Sequence, residues 1–229
     1  MACRFEPDLR HLIAACGRPP PPSPSPEGQR VERLLALDQA LFLALNARDW
    51  PVWLDAFFVF ITRDEPLRVP LIALWLLILL VCGPRWRLRA IWLLPLVALS
   101  DWSASQLLKD AFARPRPCHD SLAGLRLLVD CGPGFSFPSS HAANMGAVGT
   151  LPALGARGWR RRFAVLALPL LVAYSRVHVG VHYPLDVLGG WLWGSALALS
   201  IEWLGRRSPR LRLSAAAARA QAAASDTGT

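Results

Sequence analysis

Apolar residues in this chain gather into long runs separated by arginine-rich connections, a length scale that belongs to helices rather than strands. The runs fall at residues 69–83, 90–108, 163–174 and 187–204. A helix needs roughly 20 apolar residues to cross a bilayer, with about 17–25 tolerated, so 90–108 fits best even though Asp101 interrupts it. The 163–174 run is short unless it continues to Val181, which would put Arg176 and His178 at its far end. Ionisable side chains are costly in lipid, so there they mark a site at a helix end or in a polar cavity. Residues 142–156 are rich in small side chains (Gly146, Ala147, Gly149, Gly155), and Gly189, Gly190 and Gly194 recur later, so these helices can approach closely. Upstream, residues 31–46 set Leu34, Leu35, Leu41 and Leu45 among polar neighbours, as in an amphipathic helix on the membrane or the first part of an oblique span. Residues 53–62 are apolar but short, with Pro51 as a start and Arg63-Asp64-Glu65-Pro66 as a closing turn, so the position of the first crossing stays open. The pattern predicts an all-α fold, a polytopic transmembrane helical bundle with about six membrane helices.

Composition agrees but decides less: 53% of the 229 residues are hydrophobic, against about 45–50% in soluble domains. Charge says more. The net charge of +9 is carried largely by three arginine clusters, Arg85/Arg87/Arg89, Arg157 with Arg160–Arg162, and Arg206/Arg207/Arg210/Arg212. Each flanks an apolar run and has a tryptophan beside it (Trp86, Trp159, Trp203), the signature of cytoplasmic helix ends rather than of a nucleic-acid surface. With all three clusters inside, the chain crosses outward along 90–108, returns along 141–156, goes out along 163–176 and returns along 186–204. Residues 1–30 read as an extended, disordered proline-rich lead, and Ser214 onward as a frayed or disordered alanine-rich tail. Ile13-Ala14-Ala15-Cys16 has the form of a lipoprotein cleavage box. Arg4, Glu6, Asp8 and Arg10 stand where its apolar stretch belongs, so it is read as spurious, and no secretory signal is recognised.

Three spaced groups remain at the predicted extracytoplasmic ends: Lys109-x6-Arg116-Pro117, Pro138-Ser139-Ser140-His141, and Ser175-Arg176-x5-His182-x3-Asp186. Lys109 is the only lysine among the 25 lysines and arginines. A compact ammonium does not substitute for a planar guanidinium, so its survival here suggests a chemical requirement. Ser139 or Ser140 can cap a helix whose first-turn N–H groups and positive dipole end attract an anion. Pro184 suits a first helical position, which places Asp186 in the first turn, able to reach back to the ring N–H of His182 and leave the other nitrogen free. His141, His182 and Asp186 could alternatively ligate zinc, but three cationic side chains converging on the same place favour an anion over a dication. No metal and no cofactor are therefore expected. His178 lacks a carboxylate four residues on and reads as a packing or supporting residue; His11 and His119 carry no pattern.

These groups resemble the type 2 phosphatidic acid phosphatase superfamily, whose motifs are Lys-x6-Arg-Pro, Pro-Ser-Gly-His and Ser-Arg-x5-His-x3-Asp. The single departure is Ser140 in place of glycine, a small residue that keeps its backbone N–H. The resemblance spans residues 109–186 and implies a covalent mechanism. His182 attacks phosphorus, His141 protonates the leaving oxygen and later activates water, and Asp186 orients His182. Lys109, Arg116, Arg176, Ser139 and Ser140 bind the phosphate oxygens. The expected domains are then the lead at 1–30, a transmembrane phosphatase domain at 31–205, and a basic, then alanine-rich cytoplasmic tail at 206–229. Cys118 and Cys131 bracket the first inter-motif loop on the oxidising side and are a disulfide candidate, while Cys3, Cys16 and Cys82 should be reduced. The expected partners are the lipid bilayer and a lipid phosphate, at the outer leaflet of a bacterial-type inner membrane with both termini cytoplasmic, and the oligomeric state stays open. Undecaprenyl diphosphate is favoured over phosphatidylglycerophosphate, phosphatidic acid and lipid A. A phosphotransferase, a soluble vanadate-dependent haloperoxidase and a silent membrane scaffold or transporter are the competing classes.

Overall fold

The computed structural model describes residues 25–120 and 122–207. The readings for the lead up to residue 24 (with Cys3, His11 and Cys16), for Arg210 and Arg212, and for the alanine-rich tail lie outside these residues. The chain divides into two units, residues 1–37 and 38–229. In the first, helix α1 (Pro26–Asn46) begins five residues before the expected Val31. The Ser25 hydroxyl explains the early start: it accepts the Gly28 N–H at 3.2 Å, and Pro26 follows at the first helical position.

From Asp38 onward, all regular structure among the described residues is helical. After the end of α1 come α2 (Val52–Thr62), α3 (Asp64–Val81), α4 (Pro84–Phe112), α5 (Ser140–Ala153), α6 (Trp159–His178) and α7 (Pro184–Arg207). A single 3₁₀ turn, Pro117–His119, interrupts the connection from α4 to α5. Helix α2 ends at Thr62 with Arg63 as its cap, as expected, but residues 64–66 of the expected turn already belong to α3. Among the described residues, only α4 and α7 are long and apolar enough to cross a membrane on length and hydropathy, and just 22% and 17% of their apolar stretches are buried. A core helix of a soluble protein would be mostly covered. Helix α3 fails the same test through Asp64, Glu65 and Arg68, and α6 through its arginines. The expected return along residues 141–156 is shorter than anticipated: 14 residues make about 21 Å of helix, less than the roughly 30 Å of a hydrocarbon core.

Helix α5 is instead the buried centre. A Cβ on Gly194 would lie 1.8 Å from the Ala143 carbonyl oxygen, so α7 meets α5 backbone to backbone, and any side chain there would push them apart. Leu96, Ala147, Leu151 and Ala198 fill the seam where α4, α5 and α7 meet. Phe58 and Ile61 of α2 pack on Val172 of α6 and on Val179 and Val181 beyond it. At one end, Arg89 pairs with Glu202 at 3.1 Å and lies against Gly155, so the start of α4 and the ends of α5 and α7 gather there. The described arginines of the three clusters thus lie at this end of the helices, opposite the ends that carry the motifs.

Helix α4 carries one irregularity. Residues Ser103–Leu108 form a π-helical turn in which the Lys109 N–H donates to Ala104, five residues back. The Ser103 hydroxyl donates to the Leu99 carbonyl at 2.6 Å and accepts the Trp193 indole N–H at 2.9 Å. Such turns hold one residue more than the α-helix around them.

Candidate active site

Five residues separate α6 from α7, and Gly180 makes that turn possible. Its φ of +88° suits glycine, and a Cβ would stand 2.4 Å from the Arg126 carbonyl oxygen. The N–H groups of Val181 and His182 both return to the Arg176 carbonyl at 3.2 Å, which turns His182 inward to 2% exposure. Asp186, in the first turn of α7, accepts the Tyr183 N–H at 2.8 Å, the reach-back half of a capping box.

The Asp186 carboxylate does not meet His182 directly. Its Oδ2 is 3.7 Å from His182 Nδ1, beyond hydrogen-bond range. The Ser136 hydroxyl lies between them, donating to Asp186 Oδ2 and 3.3 Å from His182 Nδ1. With its only proton given to the carboxylate, that hydroxyl must accept from Nδ1–H. Nε2 then carries the lone pair. Burial pushes the ring down to about 3, against the pull of Asp186, so it is neutral at pH 7. Arg114 closes the carboxylate's shell, donating to Asp186 Oδ1 at 2.8 Å.

The expected phosphate-binding residues surround this pair. The charges of Arg116 and Arg176 act on both His182 and Lys109. Lys109 is half-buried just past the π turn. Arg116 is buried and donates to the carbonyls of Cys131 (2.7 Å), Pro133 (3.2 Å) and Gly134 (3.3 Å), which uses three of its five N–H groups. Burial lowers its pKa from the usual arginine value. Arg176 closes α6 and donates to Thr62 Oγ1 at 2.8 Å. Ser139 is the N-cap of α5, its hydroxyl accepting the Ala142 N–H at 3.4 Å. Its own N–H donates to the Asp186 carbonyl at 3.0 Å, so the starts of α5 and α7 are tied together. The Ser140 hydroxyl meets Ser105 of α4 at 2.9 Å, and His141 follows, half-buried in the same first turn.

Beyond the motifs, Cys118 and Cys131 are joined as a disulfide, with Cα atoms 6.1 Å apart. They cluster with His119, but sulfurs committed to a disulfide cannot serve as thiolate ligands. Cys82 is a free thiol. His178 does have a carboxylate, supplied by α2: its Nε2 lies 2.8 Å from Asp55 Oδ1 while the ring packs 4.3 Å from Phe58. That arrangement supports a packing role. Ser136, Arg114 and Asp38 escaped the sequence reading. Ser136 lies two residues ahead of the second motif and Arg114 two ahead of Arg116, so only proximity along the chain hinted at them. A cleft of about 820 Å³ beside Arg176 is lined by Thr62, Arg63, Glu65, Arg68 and residues 127–131.

Known proteins resemble this chain in sequence and in fold. YbjG of Escherichia coli (strain K12), a provisionally named undecaprenyl-diphosphatase, is 32% identical over 171 residues, covering 72% of this chain and 81% of its own. The lipid A 4'-phosphatase of Bacteroides thetaiotaomicron is 30% identical over 179 residues, covering 71% and 78%. The crystal structure of a transmembrane PAP2-type phosphatidylglycerolphosphate phosphatase from Bacillus subtilis shares the fold, with a TM-score of 0.60 and 24% identity over 88% of this chain and 95% of that one. A family model matches residues 89–209, more than half the sequence and all three motifs. The chain belongs to the PAP2 superfamily.

Proposed function

We propose that this chain is an integral membrane enzyme that hydrolyses a lipid phosphate or diphosphate at the outer leaflet through a phosphohistidine on His182, without a metal. The observation that carries the reading is a buried, neutral His182 with Nδ1 turned to Ser136 and Asp186, in the field of Arg116 and Arg176. In the first step Nε2 forms a bond to phosphorus, the bond from phosphorus to the leaving oxygen breaks, and His141 gives that oxygen its proton. In the second, His141 takes a proton from water, the water oxygen attacks phosphorus, and the P–N bond breaks to return His182 and phosphate. Lys109, Arg116, Arg176 and the N–H groups at Ser139 and Ser140 hold the equatorial oxygens as charge shifts among them.

Undecaprenyl diphosphate is the substrate we favour. YbjG bears that activity in its name, and the cleft beside Arg176, where Arg63, Arg68 and Arg176 outnumber Glu65 and Asp130 on the wall, offers room for a second phosphate. Lipid A is the second reading, supported by the Bacteroides relative. About six helices cross or line the membrane in this reading, with the arginine clusters cytoplasmic, both termini inside and the site facing the periplasm. The test is phosphate release by the purified protein from undecaprenyl diphosphate, phosphatidylglycerophosphate, phosphatidic acid and lipid A, each with and without chelator. Release that is strongest from undecaprenyl diphosphate and indifferent to chelator is the expected result. Loss on chelation, restored by a divalent metal, refutes the mechanism, and stronger release from lipid A refutes the substrate.

A further inference from the structure

Asp38 belongs to none of the motifs, yet it is 4% exposed and joined to the site on both oxygens. Its Oδ2 accepts from Arg114 Nη2 at 2.6 Å, and its Oδ1 accepts the N–H of Leu185, in the first turn of α7, at 2.9 Å. The other amino group of Arg114 donates to Asp186, and the guanidinium lies 4.2 Å over the Tyr183 ring. One arginine therefore bridges two buried carboxylates, one of them the partner of the nucleophile.

That bridge answers an electrostatic difficulty. When Nε2 of His182 takes the phosphoryl group and Nδ1 keeps its proton, the ring becomes cationic and needs an anion beside it. Asp186 paired with Arg114 alone would be neutral overall. Asp38 draws on the same guanidinium, so the three groups together keep one net negative charge. We infer that Asp38 is a positioning residue that preserves the anionic character of Asp186 by sharing Arg114, and that it also holds the start of α7, which carries Asp186, in place. This rests on the phosphohistidine reading above.

A merely structural Asp38, tying α1 to α7, predicts something different, and a charge-restoring double variant separates the two. Asp38→Asn keeps an oxygen for Leu185 but removes the charge; Arg114→Gln keeps an N–H for Asp186 but removes the cation. Full-length wild type, both single variants and the double variant are assayed in detergent with undecaprenyl diphosphate radiolabelled on its distal phosphate, and with labelled phosphatidic acid as a second probe. Alkaline quenching preserves phosphohistidine, and burst amplitude counts active sites, so the rates are independent of how much protein folds. Asp38→Asn should slow phosphoenzyme formation per active site by roughly 10–100-fold, the usual loss when an outer partner of a site residue is removed, with KM nearly unchanged. Adding Arg114→Gln should recover about tenfold, because the net charge returns to that of the wild type. A double variant as slow as Asp38→Asn or slower, or an Asp38→Asn rate equal to the wild type, overturns the inference. If Asp38→Asn does not fold, the double variant decides alone, by reacting within about tenfold of the wild type or not. Absence of phosphoenzyme in the wild type with both probes overturns the phosphohistidine reading itself, and this inference with it.

Discussion

Removing the Ser136 hydroxyl tests the relay between His182 and Asp186 directly. In Ser136→Ala the His182 Nδ1–H loses its acceptor inside a site with almost no solvent, and Asp186 Oδ2 keeps only the Tyr183 N–H. An unsatisfied buried donor costs about 1–3 kcal/mol. If all of it falls on the oriented ring in the transition state, kcat drops by roughly 5–150-fold at 1.36 kcal/mol per decade. One compensation is open: His182 Nδ1 is 3.7 Å from Asp186 Oδ2, and about 1 Å of movement would make a direct bond. Part of the loss should be recovered that way, so a fall of about tenfold is expected, with KM little changed because Ser136 is fully buried behind His182 and Asp186. The assay is steady-state phosphate release together with single-turnover trapping of the phosphoenzyme. A kcat indistinguishable from the wild type, with trapping equally fast, would show that the hydroxyl neither sets the tautomer nor orients the ring.

Five further outcomes follow from the same geometry. His182→Ala and His141→Ala should each abolish turnover with folding intact, and Asp186→Asn should cost up to about 10⁴-fold by analogy with the orienting carboxylate of a triad; chelator-insensitive phosphate release from the wild type is the accompanying check. Lys109→Arg should damage kcat/KM despite its preserved charge, and near-normal activity would show that any cation suffices. Because burial lowers His182 from 6.5 to about 3, the unfolded chain binds an extra proton between those values, so stability should fall as pH drops through that window. The loss should be on the order of a few kcal/mol and absent in His182→Asn, as thermal unfolding in detergent at stepped pH will report. Finally, a bilayer-impermeant thiol reagent on intact cells should label Cys118 and Cys131 only after mild reduction and leave Cys3 and Cys16 unlabelled; labelling of Cys3 with Cys118 silent in both conditions means an inverted topology. Breaking the disulfide with Cys118→Ser should cost about 3 kcal/mol of stability by loop-entropy reasoning.

The residues proposed to bind phosphate were legible because the chemistry demands particular side chains at fixed local spacing. His182 and Asp186 are four apart, and proline at 184 marks the helix start between them. The partners of those residues were not legible. Asp38 meets Arg114 across 76 positions and Leu185 across 147, and no local pattern encodes such a contact. Arg114 was hidden among the many arginines of the chain. Ser136 looked like one more loop serine, and only the fold shows that it occupies the space assigned to a direct His182–Asp186 bond. Helix positions were read well where apolar runs were long, as for α4 and α7, and less well where a capping hydroxyl set an early start, as at Ser25, or one helix followed another after a single residue, as at Arg63. The centrality of α5 could be suspected from its small residues, but its shortness could not, because the run continues past Ala153 in sequence and not in helix.

The π turn in α4 has a consequence for how the protein can vary. One additional residue in the turn sets everything downstream back by about 100° around the helix axis, compared with an unbroken α-helix of the same sequence. The stretch before Ser103 and the stretch carrying Lys109 therefore keep separate angular phases on a single rod. Substitutions that retune the outward-facing surface of the first part need not rotate the ammonium, and changes near the ammonium need not disturb the packing against α5 and α7. Deleting a single residue from 103–108 would let the segment close as regular α-helix with Lys109 at nearly its present angle, whereas deleting one residue before Ser103 would swing Lys109 by more than a quarter turn relative to the start of α4.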